Sequence, residues 1–181
     1  MKKWMRIALI VIGVIGISLF FAYRAMIANT KKNSPERIAA YDQGNTHIEV
    51  VYSAPFKKGR DIFGGLVPLD TVWRTGANEP TTFDSNVDLN IGGQVLPAGH
   101  YTFWTIPGRE HWTLIWNSKD YGWGIEFSGK AMRKPEFDVL KIEAQVERLP
   151  EVVEQFTIAV EGDNPVLSLS WDQTQVSVPL R

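Results

Sequence analysis

The stretch YTFWTIPGREHWTLIWN, residues 101–117, decides the fold. Its two arms, residues 101–106 and 111–117, are rich in Thr, Trp, Phe and Ile, the side chains that suit a pleated surface. Between them stands Pro107-Gly108-Arg109-Glu110, which is turn chemistry. A strand sends successive side chains to opposite faces. In the second arm Trp112, Leu114 and Trp116 therefore share one face, and His111, Thr113, Ile115 and Asn117 share the other. The pattern predicts an antiparallel hairpin.

Outward from this hairpin the same signals recur. Residues 46–52, 81–84 and 87–91 read as strands, and Gly92-Gly93 after Ile91 is a hairpin turn. Residues 57–66 form a Gly-rich loop, residues 71–74 a short extended piece, and residues 121–135 another loop. Residues 139–147, 152–160, 166–171 and 175–180 read as four more strands, with Glu161-Gly162-Asp163-Asn164-Pro165 as a strong turn in the middle. About nine short strands with regular turns predict an all-β fold, an antiparallel sandwich or open barrel.

The N-terminus is different. Residues 7–22, IALIVIGVIGISLFFA, hold no charge, and Ser18 is their one polar side chain. At 1.5 Å per residue the run is near the roughly 20 residues that cross a bilayer. Trp4 and Tyr23 stand where interfacial aromatics belong. A cleaved signal peptide and an uncleaved signal anchor both fit, and the weak small-x-small pattern after residue 22 favours the anchor. The expected division is a transmembrane helix over residues 1–23, a polar tether over 24–45 with a short helix at 36–41, and one β domain over 46–181. Residues 5–23 then have the lipid bilayer as their partner.

Charge follows this division. Six of the 19 basic residues lie in residues 1–32, which hold no acid; the remainder carries 13 basic and 20 acidic side chains, a net of −7. A domain of that charge gains nothing from a phosphate backbone, so nucleic acid is excluded as a partner. The absence of cysteine excludes disulfides, thiolate metal sites and a cysteine nucleophile. Positive charge lies on both sides of the apolar run, giving a slight preference for a cytoplasmic N-terminus and an exported, periplasmic C-terminal domain.

His47, His100 and His111 sit on separate elements with no paired spacing, so no metal site is expected. No cofactor signature and no nucleophile elbow occur, and no catalytic residue is assigned. The densest chemistry lies in Val72-Trp73-Arg74-Thr75-Gly76-Ala77-Asn78-Glu79. Arg74 is suited to clamping a carboxylate or phosphate, Trp73 to stacking on a ring, and Thr75, Asn78 and Glu79 to directional hydrogen bonds. The same residues also suit a brace: an arginine paired to a buried acid, an indole in the core, an asparagine capping a turn. Arg60, in the Gly-rich loop, joins the candidate binding set. So does Trp104, expected opposite Trp112 or Trp116, in a groove or in a core. Arg109 and Glu110, at the hairpin turn, read as solvated.

These blocks carry a family resemblance. Lys58-Gly59-Arg60-Asp61-Ile62-Phe63-Gly64-Gly65, the Trp73–Asn78 block, Leu96-Pro97-Ala98-Gly99-His100-Tyr101 and Trp112-Thr113-Leu114-Ile115-Trp116-Asn117 resemble the bacterial domain-of-unknown-function family 2911 over residues 47–180. That resemblance implies export. It carries no activity and no residue role.

Three functions fit the sequence: a membrane-anchored module binding a small polar or glycan ligand near Trp73, Arg74 and Asn78; a structural or interaction domain of the cell envelope; and a hydrolase-like enzyme using Glu79 with Asp61 or a histidine. The setting of the Arg74 guanidinium discriminates the first two.

Overall fold

A computed structural model describes residues 3–181. Helix α1 (Lys3–Asn33) carries the apolar run and extends well past it. Its 31 residues are long and apolar enough to cross a membrane. A lipid-exposed span must satisfy its own backbone, and a helix does so residue by residue. The large apolar side chains described along it, from Trp4 to Phe21, are exposed all round, so no stripe is reserved for a protein core. Lys31 and Lys32 in the last turn complement the negative end of the helix dipole.

The chain divides into two compact units, this helix and Ser34–Arg181. The second unit contains strands β1 (Glu36–Gln43), β2 (Thr46–Ser53), β3 (Thr81–Ser85), β4 (Leu89–Ile91), β5 (Gln94–Leu96), β6 (Gly99–Pro107), β7 (His111–Asn117), β8 (Asp138–Glu161) and β9 (Val166–Pro179). Seven form one antiparallel sheet in the order β1-β2-β3-β6-β7-β8-β9, and β4-β5 is a separate hairpin. The sheet curls into a half-barrel. The expected all-β antiparallel fold is thus what forms, and of its two expected forms, sandwich or open barrel, the curled sheet is nearer the second.

The expected hairpin is β6–β7, with Phe103 opposite Trp116 and Thr105 opposite Leu114. Its inner face meets those of the neighbouring strands: Ile48 and Val50, Phe83, Leu140 and Ile142, Leu167 and Leu169, all buried. Alternation in the sequence is therefore alternation between the concave core and the convex side. Gly92 and Gly93 both have positive φ, as the two-residue β4–β5 turn requires.

Residues 36–41 were expected as a short helix and are strand. β1 pairs along its whole length with β2 across the Gly44-Asn45 turn, and Ala39 is buried on the core face. Helical propensity in Ala39-Ala40 is weak beside eight cross-strand pairings. Of residues 24–45, those up to Asn33 belong to α1 and Glu36–Gln43 to β1.

The four C-terminal strands are two long bent ones. β8 and β9 shift register between Arg148 and Val153 and again before Thr157. Asp172 in β9 has a positive φ of 56°. Such irregularities bend and twist a strand without ending its pairing. The bend brings the second half of β8 to the chain leaving β2: Phe56 bridges Gln155, and the Phe156 amide donates to Pro55 O at 2.9 Å. This closes the curl on one side.

Phe156 stands at that closure, 1% exposed, with ring centroids 5.7 Å from Tyr52, 5.1 Å from Trp73 and 5.8 Å from Trp171. Truncating a buried phenylalanine costs about 3–5 kcal/mol. Phe156→Ala is expected to lose that much in urea unfolding of the full chain in detergent micelles, followed by tryptophan fluorescence. A loss below about 1 kcal/mol contradicts this packing.

Candidate functional site

Residues 54–80, between β2 and β3, carry both sequence blocks singled out above. This long connection is tied back to the sheet at Trp73. Its amide donates to Thr105 O at 2.7 Å, and the Thr105 amide donates to Trp73 O at 3.0 Å. The indole stacks on Trp171 with centroids 6.2 Å apart and planes 15° apart, and meets Trp112 edge-on at 6.2 Å. Its Nε1 donates to Gly76 O at 2.9 Å. Phe63, from the Gly-rich loop, packs on the same group at 4.8 Å from Trp112. Trp73 is thus a pin holding the connection against the concave core.

The rest of its block braces that pin. Thr75 is fully buried, and its Oγ1 lies 3.2 Å from Thr105 Oγ1. Thr81 Oγ1 donates to Thr75 O at 2.6 Å. Asn78 is 1% exposed and donates through Nδ2 to Ser34 O at 3.0 Å and Ser53 Oγ at 3.3 Å. Arg74 is half-buried, with Nη1 donating to Trp123 O at 3.1 Å. Burial pulls its guanidinium below the ordinary arginine range, partly countered by the charge of Glu79. Arg60 folds onto its own turn, donating through Nε to Lys57 O at 3.0 Å.

Trp104 differs from expectation. It pairs across the hairpin with Ile115, not with Trp112 or Trp116, and so lies on the opposite face from them. There it is fully buried, donating through Nε1 to Thr102 Oγ1 at 2.9 Å and meeting Tyr121 edge-on at 5.3 Å. A polar layer surrounds it. Asn117 accepts from the Lys119 amide and from Tyr121 OH, and donates to Lys134 O and Asp138 Oδ1. Burial would raise the Asp138 carboxyl, but bonds from Arg133, Lys141 and Asn117 outweigh it and hold the carboxyl below its ordinary value.

None of the predicted binders lines a cleft found elsewhere in the β unit. This cleft, about 530 Å³, lies beside the β6–β7 turn. One wall is the Gly-rich loop, with Asp61, Phe63 and Gly65; another is the β6–β7 turn with Arg109; the third is β8 and β9 with Arg148, Asp172 and Thr174. Gly65 is needed where it stands, because a Cβ there would lie 2.5 Å from Asp61 O. Phe63, half-buried, joins this wall to the aromatic group beneath. Asp172 is held by Lys57 Nζ at 2.8 Å.

Sequence reasoning singled out the Gly-rich loop carrying Asp61 and Phe63 but placed only Arg60 of it in the candidate binding set. It missed Arg148, Asp172 and Thr174, which only register brings together: Arg148 opposes Thr174, and the Val146 amide bonds Glu110 O. None of the three histidines lines the cleft. His100 instead lies on the outer face, with Nδ1 2.7 Å from Asp84 Oδ1 and Nε2 3.1 Å from Asp120 Oδ1. Among the described residues no group of His, Asp and Glu is placed to hold a metal ion.

A family model described as protein of unknown function, DUF2911, matches residues 34–180. No curated protein and no solved structure matches the chain.

Burial works to lower the His100 pKa, but the two carboxylates outweigh it and leave it raised. A raised histidine stabilises the fold below its unfolded value of about 6.5. That contribution is lost as pH rises through the higher folded value. An NMR titration of His100 is expected to have its midpoint above the ordinary histidine value, falling in Asp84→Asn. A midpoint at or below that value contradicts the two-carboxylate setting.

Proposed function

Since the chain belongs to the DUF2911 family, whose function is unknown, we propose that it is a single-pass bacterial membrane protein whose β unit is a binding module for a small polar ligand. In this reading α1 is retained as the anchor and the β unit lies on the exported, periplasmic side. Its apolar run and the basic residues flanking it support that placement.

The cleft of about 530 Å³ carries the proposal. Small-molecule sites are concave, of roughly 300–1,000 Å³, and mostly apolar with a few convergent polar groups; this cleft has that size and a more polar lining. Here the apolar wall is Phe63, backed by Trp112, and the polar groups are Asp61, Arg109, Arg148 and Thr174. The Trp73–Asn78 block serves the site indirectly, by holding the connection that forms the first wall. The hydrolase reading loses ground, since Glu79 does not line the cleft with Asp61 and no histidine reaches it.

A second reading, a structural or interaction domain of the cell envelope, draws on one observation: Thr75 and Asn78 are buried in bonds within the unit. The two readings differ in whether the cleft is used.

Thermal unfolding of the full chain in detergent micelles, screened against sugars, nucleotides and carboxylates, decides between them. A ligand at one hundred times its Kd adds about 2.7 kcal/mol, or ~5–10 °C for a unit of this size. Thr174→Trp, which fills the cleft from β9, is expected to remove the shift, whereas Arg74→Gln keeps it. No shift from any compound, or a shift that survives Thr174→Trp, overturns the binding reading.

A further inference from the structure

The cleft's charge narrows its ligand, and we infer that it selects an anion, a carboxylate or phosphate group held between Arg109 and Arg148. The inference rests on the binding reading above. Four charged side chains line the cleft: Asp61, Arg109, Arg148 and Asp172. Asp172 is already neutralised by Lys57 in a pair whose side chains are only 18% and 26% exposed. That leaves two guanidinium groups against the single carboxylate of Asp61. Among the described residues neither guanidinium makes a side-chain hydrogen bond or an ion pair.

This is a positive rim on a unit of opposite charge. Residues 33–181 carry a net of −7, so two unpaired cations at one cavity run against the surrounding field. An acidic surface would by itself repel anions; a local cationic mouth concentrates them there. The two arginines also start from linked backbone. Arg109 precedes Glu110, whose carbonyl accepts from the Val146 amide, two residues before Arg148. The turn and the strand therefore keep a fixed spacing.

Guanidinium suits this task. Its planar fork matches carboxylate and phosphate oxygens bidentately. Opposite Arg148, Thr174 adds a hydroxyl on the adjacent strand, and Phe63 offers an apolar side for the ligand's carbon skeleton.

The test uses the full chain in neutral detergent micelles, titrated calorimetrically with citrate, inorganic phosphate and the neutral sugar maltose. Citrate or phosphate is expected to bind, and more weakly as salt rises. Arg109→Gln and Arg148→Gln are each expected to weaken binding about tenfold or more, since a charge-assisted bond contributes about 1.5–3 kcal/mol. Asp61→Asn is expected to tighten it, by removing the competing carboxylate. Competition by phosphatidylglycerol doped into the micelles marks a lipid headgroup as the source, and its absence marks a soluble anion; both support the inference. Maltose binding without anion binding overturns the inference and leaves the binding module standing. Anion binding unchanged in both arginine variants also overturns it. Failure of these probes together with the whole compound screen overturns the binding reading as well.

Discussion

The structure depends on five aromatic rings meeting at the concave face. Phe63 and Trp73 come from the connection after β2, Trp112 from β7, Phe156 from β8 and Trp171 from β9. Each buried ring is worth about 1.5–3 kcal/mol, and edge-on or stacked pairs add about 0.5–1.5 kcal/mol. That adds to the backbone bonds tying the connection to the sheet at Pro55, Lys57, Asp70 and Trp73. Without the rings, residues 60–73 would be held by backbone bonds alone and the first wall of the cleft would loosen.

The same sheet runs two different economies on its two sides. Concave contacts are rings and aliphatic chains, and Nε1 of Trp112 and Trp116 has no hydrogen-bond partner there. An unpaired buried donor costs about 1–3 kcal/mol, so packing must outweigh it. On the convex side Trp104 and Ile115 are buried, Tyr121 meets Trp104 edge-on, and a polar network runs beside them with Asn117 bonded at both ends of its amide. The bends in β8 and β9 join these sides to the cleft. They turn Asp172 toward Lys57 and leave Arg148 at the rim.

Much of this architecture was legible in the residues. Alternation of Trp112, Leu114 and Trp116 gave the hairpin and its inner face, and Gly92-Gly93 gave the β4–β5 turn. The breaks near residues 148 and 172 were visible too, but local pattern reads a bulge as an end, so two bent strands looked like four. β1 was hidden because its partner, β2, supplies the reason for its extension. The site was harder still. An arginine, a threonine and an asparagine beside a tryptophan have the same composition whether they grip a ligand or brace a loop; only burial tells them apart. Arg109 and Arg148, far apart in sequence, become neighbours through register alone.

The most direct test of the central claim is hydrogen exchange in Phe63→Ala. If the rings hold the connection, exchange should quicken at the amides of Gly64, Val67 and Trp73, whose bonds run to Val67 O, Ile62 O and Thr105 O, while β7 and β8 stay protected. Unchanged protection across residues 60–73 would contradict the account.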